Sequence, residues 1–359
     1  MLDLFAPIAA ACDTSIAPEH RAPVAVVGAG AIVDVAHLPA YRRAGLEITG
    51  LFDLNRQRAH EVAARHGVPR VYTSLDELLG DEHVRVVDIA VAPQAQPGIV
   101  RQAIAAGKHL LGQKPFVPDA NTGDELIELA EQGGLLIAVN QQLRYDEGMA
   151  AARAMVEAGW IGEVTAMTFT VNVATDWTPW PWLVQSDRLE IMYHSIHYLD
   201  AIRAVLGEPG HVFCTGSRTP GQLAAGETRT ISTLVFPGDA RGLVHATHEN
   251  RTGDPEATFR IDGTDGSIKG TLGLLYDYPH GRPDTLEVSS RTVPTDGWLA
   301  YPVTSRWIPD AFAGPMGSLL RAMATGGQPY PTARDNLGTI RLVEALYTSM
   351  DSGHSVSVK

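Results

Sequence analysis

At 359 residues the chain exceeds one ordinary core, so two domains are expected, and 45% hydrophobic with 19% charged residues excludes a disordered or low-complexity chain. A net charge of -13, with no local Lys/Arg cluster to reverse it, argues against a nucleic-acid binder, whose affinity comes largely from cations replacing counterions on phosphates. No stretch of about 18 consecutive apolar residues offers a membrane span, and two cysteines without metal-ligand spacing, Cys12 and Cys214, argue against a disulfide scaffold and suit a reduced cytoplasm.

Residues 1–21 read as an N-terminal extension with a short helix near residues 4–11; Asp3, Asp13 and the lack of a positive leading region argue against a secretory signal. Pro23-Val24-Ala25-Val26-Val27 is a short strand that ends at Gly28-Ala29-Gly30-Ala31-Ile32-Val33, and a helical pattern follows through residues 34–38. In this strand, glycine turn and helix, the first Gly makes the turn and the second lets the backbone approach a pyrophosphate seated on the helix N-terminus. Val33 stands where a third Gly or Ala is usual, so a looser helix-to-strand contact is expected there.

Residues 46–52 form a second strand that ends in Asp53, about 20 residues past the glycines, where an acid holds the adenosine ribose and favours NAD over NADP. The alternative for Asp53 is a cap on the helix at 56–66, and Arg56 leaves room for NADP. A strand at Val71-Tyr72 and a short helix after Ser74 follow. Next come an apolar strand at 84–91 interrupted by Arg85 and Asp88, a helix at 98–106, a strand at 109–111, a helix at 124–132 and a strand at 135–139. Such alternation implies right-handed crossovers and a parallel sheet, with ligands at the carboxyl ends of the strands. The expected cofactor contacts are Gly28, Ala29, Gly30, Ala31, Ile32, Asp53, Arg56, Ala92, Pro93, Gln96, Gln113 and Lys114. Arg144 is a candidate for a substrate hydroxyl or carboxylate, with a domain-bridging ion pair as the equal alternative.

The second half changes character. Residues 165–173 alternate and are β-branched, and further strands are expected at 212–217, 229–236, 242–249, 257–262, 267–271 and 286–289. Turns such as Asp262-Gly263 and Asp265-Gly266 imply a mainly antiparallel sheet. Helical spacing over residues 188–206 places Tyr193, His194, His197 and Asp200 on one broad face, more polar than packing requires; core histidines satisfied by backbone acceptors are the alternative. The segment Trp177-Thr178-Pro179-Trp180-Pro181-Trp182 suits either the CH-rich face of a sugar or an interface or core. His245 and His248 fall on opposite strand faces, so no metal site is expected. Helices at 315–324 and 332–349 close the chain.

In order and spacing these motifs resemble the Gfo/Idh/MocA oxidoreductases (glucose-fructose oxidoreductase, inositol dehydrogenase and MocA). The likeness runs through Val26 to Gly30, His37-Leu38-Pro39, Ala105 to His109, Gln113-Lys114-Pro115, Arg144-Tyr145, Ile161-Gly162-Glu163 and His197-Tyr198-Leu199-Asp200, from about residue 22 to 357. The resemblance implies an α/β dinucleotide-binding domain at 22–143 and an α+β substrate and oligomerisation domain at 144–359, with C-terminal helices packing back on the first domain. It also implies a cytoplasmic homodimer or homotetramer assembled through the second sheet. The implied activity is NAD(P)-dependent hydride transfer to or from a secondary hydroxyl or ketone of a sugar, polyol or derivative. Lys114 takes the lysine role and His197 the histidine role, with Tyr193 a further participant and Arg144, Trp177, Trp180 and His194 facing substrate. The chain departs from the family pattern at Gln113, where a glutamate is usual, at Tyr193, where an aspartate is usual, and at Gln96, where many members carry histidine. Two other readings stay open: cleavage of a glycoside through transient oxidation, and a non-catalytic dinucleotide-binding regulator.

Overall fold

The computed structural model describes residues 2–358, with side chains from Leu4 onward. The chain forms two compact units. One comprises Thr14–Tyr145 and Ile308–Leu337; the other comprises the segment through Asp13, Asp146–Trp307 and the chain from Gly338 onward. The expected N-terminal helix is α1 (Leu2–Ala11), which belongs to the second unit, where Phe5 stacks on Trp160 and meets Tyr301 edge-on.

The first unit is built on five parallel strands, β1 (Val24–Val27), β2 (Ile48–Phe52), β3 (Val86–Ile89), β4 (His109–Gln113) and β5 (Ile137–Asn140), in the order β2-β1-β3-β4-β5. Every residue of β1, β3 and β5 is buried, as a parallel sheet covered on both faces requires. Its helices are α2 (Leu38–Arg43), α3 (Arg56–His66), α4 (Leu75–Leu79), α5 (Gln96–Ala105) and α6 (Ala120–Gln132). The strand expected at Val71-Tyr72 is a single bridge from Val71 to Leu51, because the chain meets the sheet there for one residue only. Between α5 and β4, Gly107 takes a left-handed φ of 71°, and the Lys108 ammonium donates to the carbonyls of Asp81 and Val84, both at 2.9 Å. Lys108 is therefore a buried fastener of two loops, while Lys114 stands at the far end of the same strand.

Besides α1, the second unit contains α7 (Glu147–Glu157), which is absent from the expected elements, and carries a nine-stranded sheet. Its strands are β6 (Val164–Asn172), β7 (His211–Ser217), β8 (Arg229–Val235), β9 (Arg241–Thr247), β10 (Glu256–Gly263), β11 (Gly266–Thr271), β12 (Leu286–Ser290), β13 (Leu299–Tyr301) and β14 (Val356–Ser357). They run in the order β13-β12-β11-β10-β6-β9-β8-β7-β14; only β6 and β9 pair parallel, and every other neighbouring pair is antiparallel. The two predicted Gly turns are one hairpin, in which Gly263 pairs with Gly266 and Thr264-Asp265 forms the tip. Alternate residues Met167, Phe169, Val171, Phe259 and Ile261 are buried on one face. That face receives α9 (Ile196–Leu206), whose Tyr198 stacks on Phe169 at 5.1 Å between ring centroids; α8 (Pro181–Val184) is one turn in the loop before it. Burying aromatic and aliphatic side chains of this size contributes roughly 1.5–3 kcal/mol each. At the C-terminus, α10 (Ala313–Thr325) packs on β5 in the first unit, and α11 (Ala333–Ser352) follows it.

Candidate active site

The glycine turn is built from two different requirements. Gly28 has φ 110°, and a Cβ there would lie 2.3 Å from the Ala90 carbonyl oxygen, so only glycine lets the ends of β1 and β3 approach. At Gly30 a Cβ would meet nothing within 4 Å, so no protein atom demands glycine; the space above the backbone is open. Ala31 and Ile32 begin the helix that leads into α2, with Ala31 exposed. Open backbone at the start of a helix suits the pyrophosphate of a dinucleotide. Val33 is fully buried in the cluster that includes Val26, Leu51 and Ala59, and the helix widens to π geometry over Val33–His37. Such widened turns occur frequently at functional sites.

Asp53 follows β2 directly. Its Oδ2 accepts the Ala29 N–H at 2.6 Å and its Oδ1 accepts the Asn55 N–H at 2.7 Å. The cap on α3 is Asn55, whose side chain accepts from the Arg58 N–H at 3.0 Å, so Asp53 is not used for capping. Its oxygens retain acceptor capacity for ribose hydroxyls. Arg56 is exposed on the first turn of α3, and the Ala92-Pro93 pair follows β3 with Ala92 half-buried and Pro93 buried. Gln96, expected to touch a cofactor, is instead fully buried. Its amide donates to the carbonyls of Gln113 (2.9 Å) and Pro115 (2.8 Å), holding the Lys114 turn from behind.

Lys114 ends that turn half-buried, and burial lowers its amine to about 7. Its backbone N–H donates to Gln113 Oε1 at 2.8 Å. Behind it lies a set of buried polar side chains far apart in sequence: His37, Tyr41, Asp88, Gln113 and Asn140. The one local signal was Asp88, a carboxylate in the middle of an apolar strand. Arg144 is buried and pairs with Asp335 at 2.7 Å while its guanidinium lies 4.9 Å from the Tyr330 ring centre, so it is an ion pair within the first unit rather than a domain bridge.

In the second unit the segment before α9 is π-wound over Ile191–Ser195, and this turn carries Tyr193 and His194. Two buried glutamates hold it. Glu227 accepts the N–H groups of Leu189 and Ile191 and the Tyr347 hydroxyl, with burial pushing its carboxyl above the usual range. Glu190 accepts hydroxyls of Ser195 (2.6 Å) and Thr230 (2.5 Å). Tyr193 is 8% exposed and meets Trp182 edge-on at 5.2 Å. His197 is also 8% exposed, one turn on, and packs edge-on against Trp307 at 5.2 Å. Asp200 points elsewhere, accepting the Thr339 hydroxyl at 2.7 Å beside Arg203. Trp177 takes the core alternative: it is buried against His194 (5.2 Å) and His248 (5.3 Å), whereas Trp180 is half-buried beside Tyr278. His248 is buried and bonded to Thr175, while His245 is exposed; among the described residues no group of three or more His, Cys, Asp or Glu could hold a metal.

A model described as the oxidoreductase family, NAD-binding Rossmann fold, matches residues 22–141, and the GFO/IDH/MocA C-terminal domain matches residues 149–269. The chain belongs to the Gfo/Idh/MocA family. Among its curated relatives is a D-apiose dehydrogenase of Paraburkholderia graminis, 26% identical over 331 residues that cover 90% of this chain and 86% of that protein. A D-xylose 1-dehydrogenase (NADP(+)) of Haloferax volcanii is 24% identical over 93% of this chain and 98% of its own. The same fold occurs in an Agrobacterium radiobacter oxidoreductase solved with NAD+, L-tartaric acid and magnesium, with a TM-score of 0.83, 24% identity and coverage of 94% and 98%. As a Gfo/Idh/MocA member the chain is an oxidoreductase with an NAD-binding domain, and the open turn at Gly30 and the carboxylate of Asp53 fit that cofactor.

Proposed function

We propose that the chain transfers a hydride between a nicotinamide cofactor and a secondary hydroxyl or ketone of a sugar, polyol or sugar derivative, with Lys114 and His197 assisting proton transfer. The observation that carries this reading is the placement of Lys114 at the carboxyl end of β4 in an NAD-binding unit, with an amine whose affinity for protons burial has reduced to the neutral range. The sugar dehydrogenases among its relatives support the substrate class.

The bound cofactor accepts or delivers the hydride. The residues that would hold it are Gly28 through Ile32, Asp53, Arg56 and the Ala92-Pro93 pair, and the anionic Asp53 favours NAD by repelling a 2′-phosphate. Lys114 holds the reacting oxygen by charge and hydrogen bonding and exchanges a proton with it. His197 serves as a second proton acceptor, and the Tyr193 phenol relays a proton or binds a substrate hydroxyl. Trp180 and His194 line the substrate side, whereas Gln96, Arg144 and Trp177 act by holding neighbouring structure.

Cytoplasmic location rests on two free thiols, Cys12 and Cys214, and no helix among the described residues is long and apolar enough to cross a membrane. Assembly as a homodimer or homotetramer rests on the solvent-facing side of the nine-stranded sheet, where Phe213 and Ile231 are exposed. A panel of sugars and polyols with NAD and NADP, followed at 340 nm, tests the reading. Reduction of the nicotinamide with at least one free sugar supports it, and inactivity across the panel with ligand-stabilised melting removes it in favour of a regulator.

A further inference from the structure

His37 is the hub of a sealed polar chain behind Lys114. Its ring is fully buried, as are Tyr41, Asp88 and Asn140. Nδ1 lies 2.7 Å from Asp88 Oδ2, and the Tyr41 hydroxyl donates to that same oxygen at 2.8 Å. On the opposite side of the ring, Gln113 Nε2 and Asn140 Nδ2 lie 3.4 and 3.3 Å from Nε2. Phe312 closes a further side with its ring edge-on at 5.1 Å. From Gln113 the chain continues to the Lys114 backbone N–H.

The Lys114 backbone fixes the direction of the first bond in this chain. A backbone N–H can only donate, so Gln113 Oε1 faces Lys114 and its NH2 group turns to His37. Asp88 already receives the Tyr41 hydroxyl and accepts a second hydrogen from Nδ1. Nε2 has a single lone pair, and with the Gln113 NH2 group turned toward it that lone pair accepts, which puts the ring hydrogen on Nδ1, facing Asp88. The titratable groups facing it are Asp88 from β3 and Tyr41 from its own helix; β4 and β5 present neutral amides, and the Asp310–Phe312 turn presents the Phe312 ring.

We propose that His37 is a positioning residue for Lys114: anchored on Asp88 at one nitrogen and reaching Gln113 at the other, it fixes where the lysine at the end of β4 stands. The inference rests on the reading of Lys114 as the catalytic lysine. The π-wound turn Val33–His37 places this histidine within seven positions of Gly30, so one short segment serves both the nucleotide turn and the lysine. Gln113 is the matching partner for a neutral ring. A glutamate there would turn a second carboxylate oxygen toward Nε2 and require an imidazolium.

The test is nitrogen NMR of histidine-labelled full-length protein near neutral pH, with His37 assigned by the loss of its signal in His37→Ala. The expected wild-type pattern is a neutral ring protonated on Nδ1, converted to an imidazolium in Gln113→Glu. A wild-type ring protonated on Nε2, or on both nitrogens, overturns the proposal. In turnover with a responsive sugar, His37→Ala should lower kcat roughly 10- to 100-fold, with KM for sugar and NAD kept within about threefold, because misplacing a reacting group by about 1 Å costs on that order. If His37→Ala does not fold, Asp88→Asn carries the same measurement, with the same loss expected and an unchanged kcat overturning the proposal. Unchanged kcat in folded His37→Ala beside an inactive Lys114→Ala removes the positioning role alone, whereas full turnover in Lys114→Ala removes both readings.

Discussion

The Asp53 carboxylate grips the glycine turn itself: its Oδ2 accepts the Ala29 N–H at 2.6 Å, across the boundary between the ends of β2 and β1. One side chain thereby shapes the pyrophosphate turn and offers its remaining lone pairs to a ribose. Asp53→Ala removes both the charge and the two backbone bonds. Hydrogen bonds to a charged group are worth about 1.5–3 kcal/mol, so KM for NAD should rise on the order of ten- to a hundredfold. Preference for NAD over NADP should shrink with it. Steady-state KM for both cofactors checks this, and an unchanged KM for NAD would contradict it.

The path from residues to fold was legible where the signal is local. Apolar runs marked β1, β3 and β5, and the change from continuous to alternating burial marked the second sheet. What stayed hidden depends on distant partners. Asp88 was visible as a polar interruption of a strand, but its partner His37 is 51 positions away, and nothing local pairs them. Glu190 and Glu227 are similar, because their value comes from backbone and hydroxyl donors brought in from several elements. The π turns at Val33–His37 and Ile191–Ser195 keep an ordinary helical spacing in sequence. The strands β13 and β14 have three and two residues, too few for alternation to show.

A pH profile follows from Lys114. With burial lowering its amine to about 7, the group is mainly cationic below that pH and mainly neutral above it. A neutral amine accepts the hydroxyl proton, so kcat/KM for alcohol oxidation should rise as pH increases through about 7. For ketone reduction the cation donates, so the rate should fall over the same interval. Profiles with the same slope in both directions would count against this assignment.

In the second unit a stability test is available at Asp146 and Asp284. Burial raises both carboxyl groups, the Asp146 charge raises Asp284 further, and Asp284 Oδ1 accepts the Gly273 N–H at 2.6 Å. A carboxyl whose folded affinity for protons is raised stabilises the fold while it is protonated. That stability is present below the unfolded value near 3.8 and is lost as pH rises through the higher folded value. Asp284→Asn removes one of the two charges. It should be more stable than wild type at neutral pH, by about 1 kcal/mol or a Tm rise of roughly 2–4 °C, with the advantage fading in acid. Equal or lower Tm at neutral pH would contradict this.

Lys114→Ala, measured with NAD and the most responsive sugar, bears most directly on the central claim. Proton-transfer groups contribute roughly 10²- to 10⁴-fold, so kcat should fall by that order while the dissociation constant for NAD stays within about threefold. Turnover near the wild-type rate in the folded variant would contradict the assignment of Lys114 as the lysine that serves the reacting oxygen.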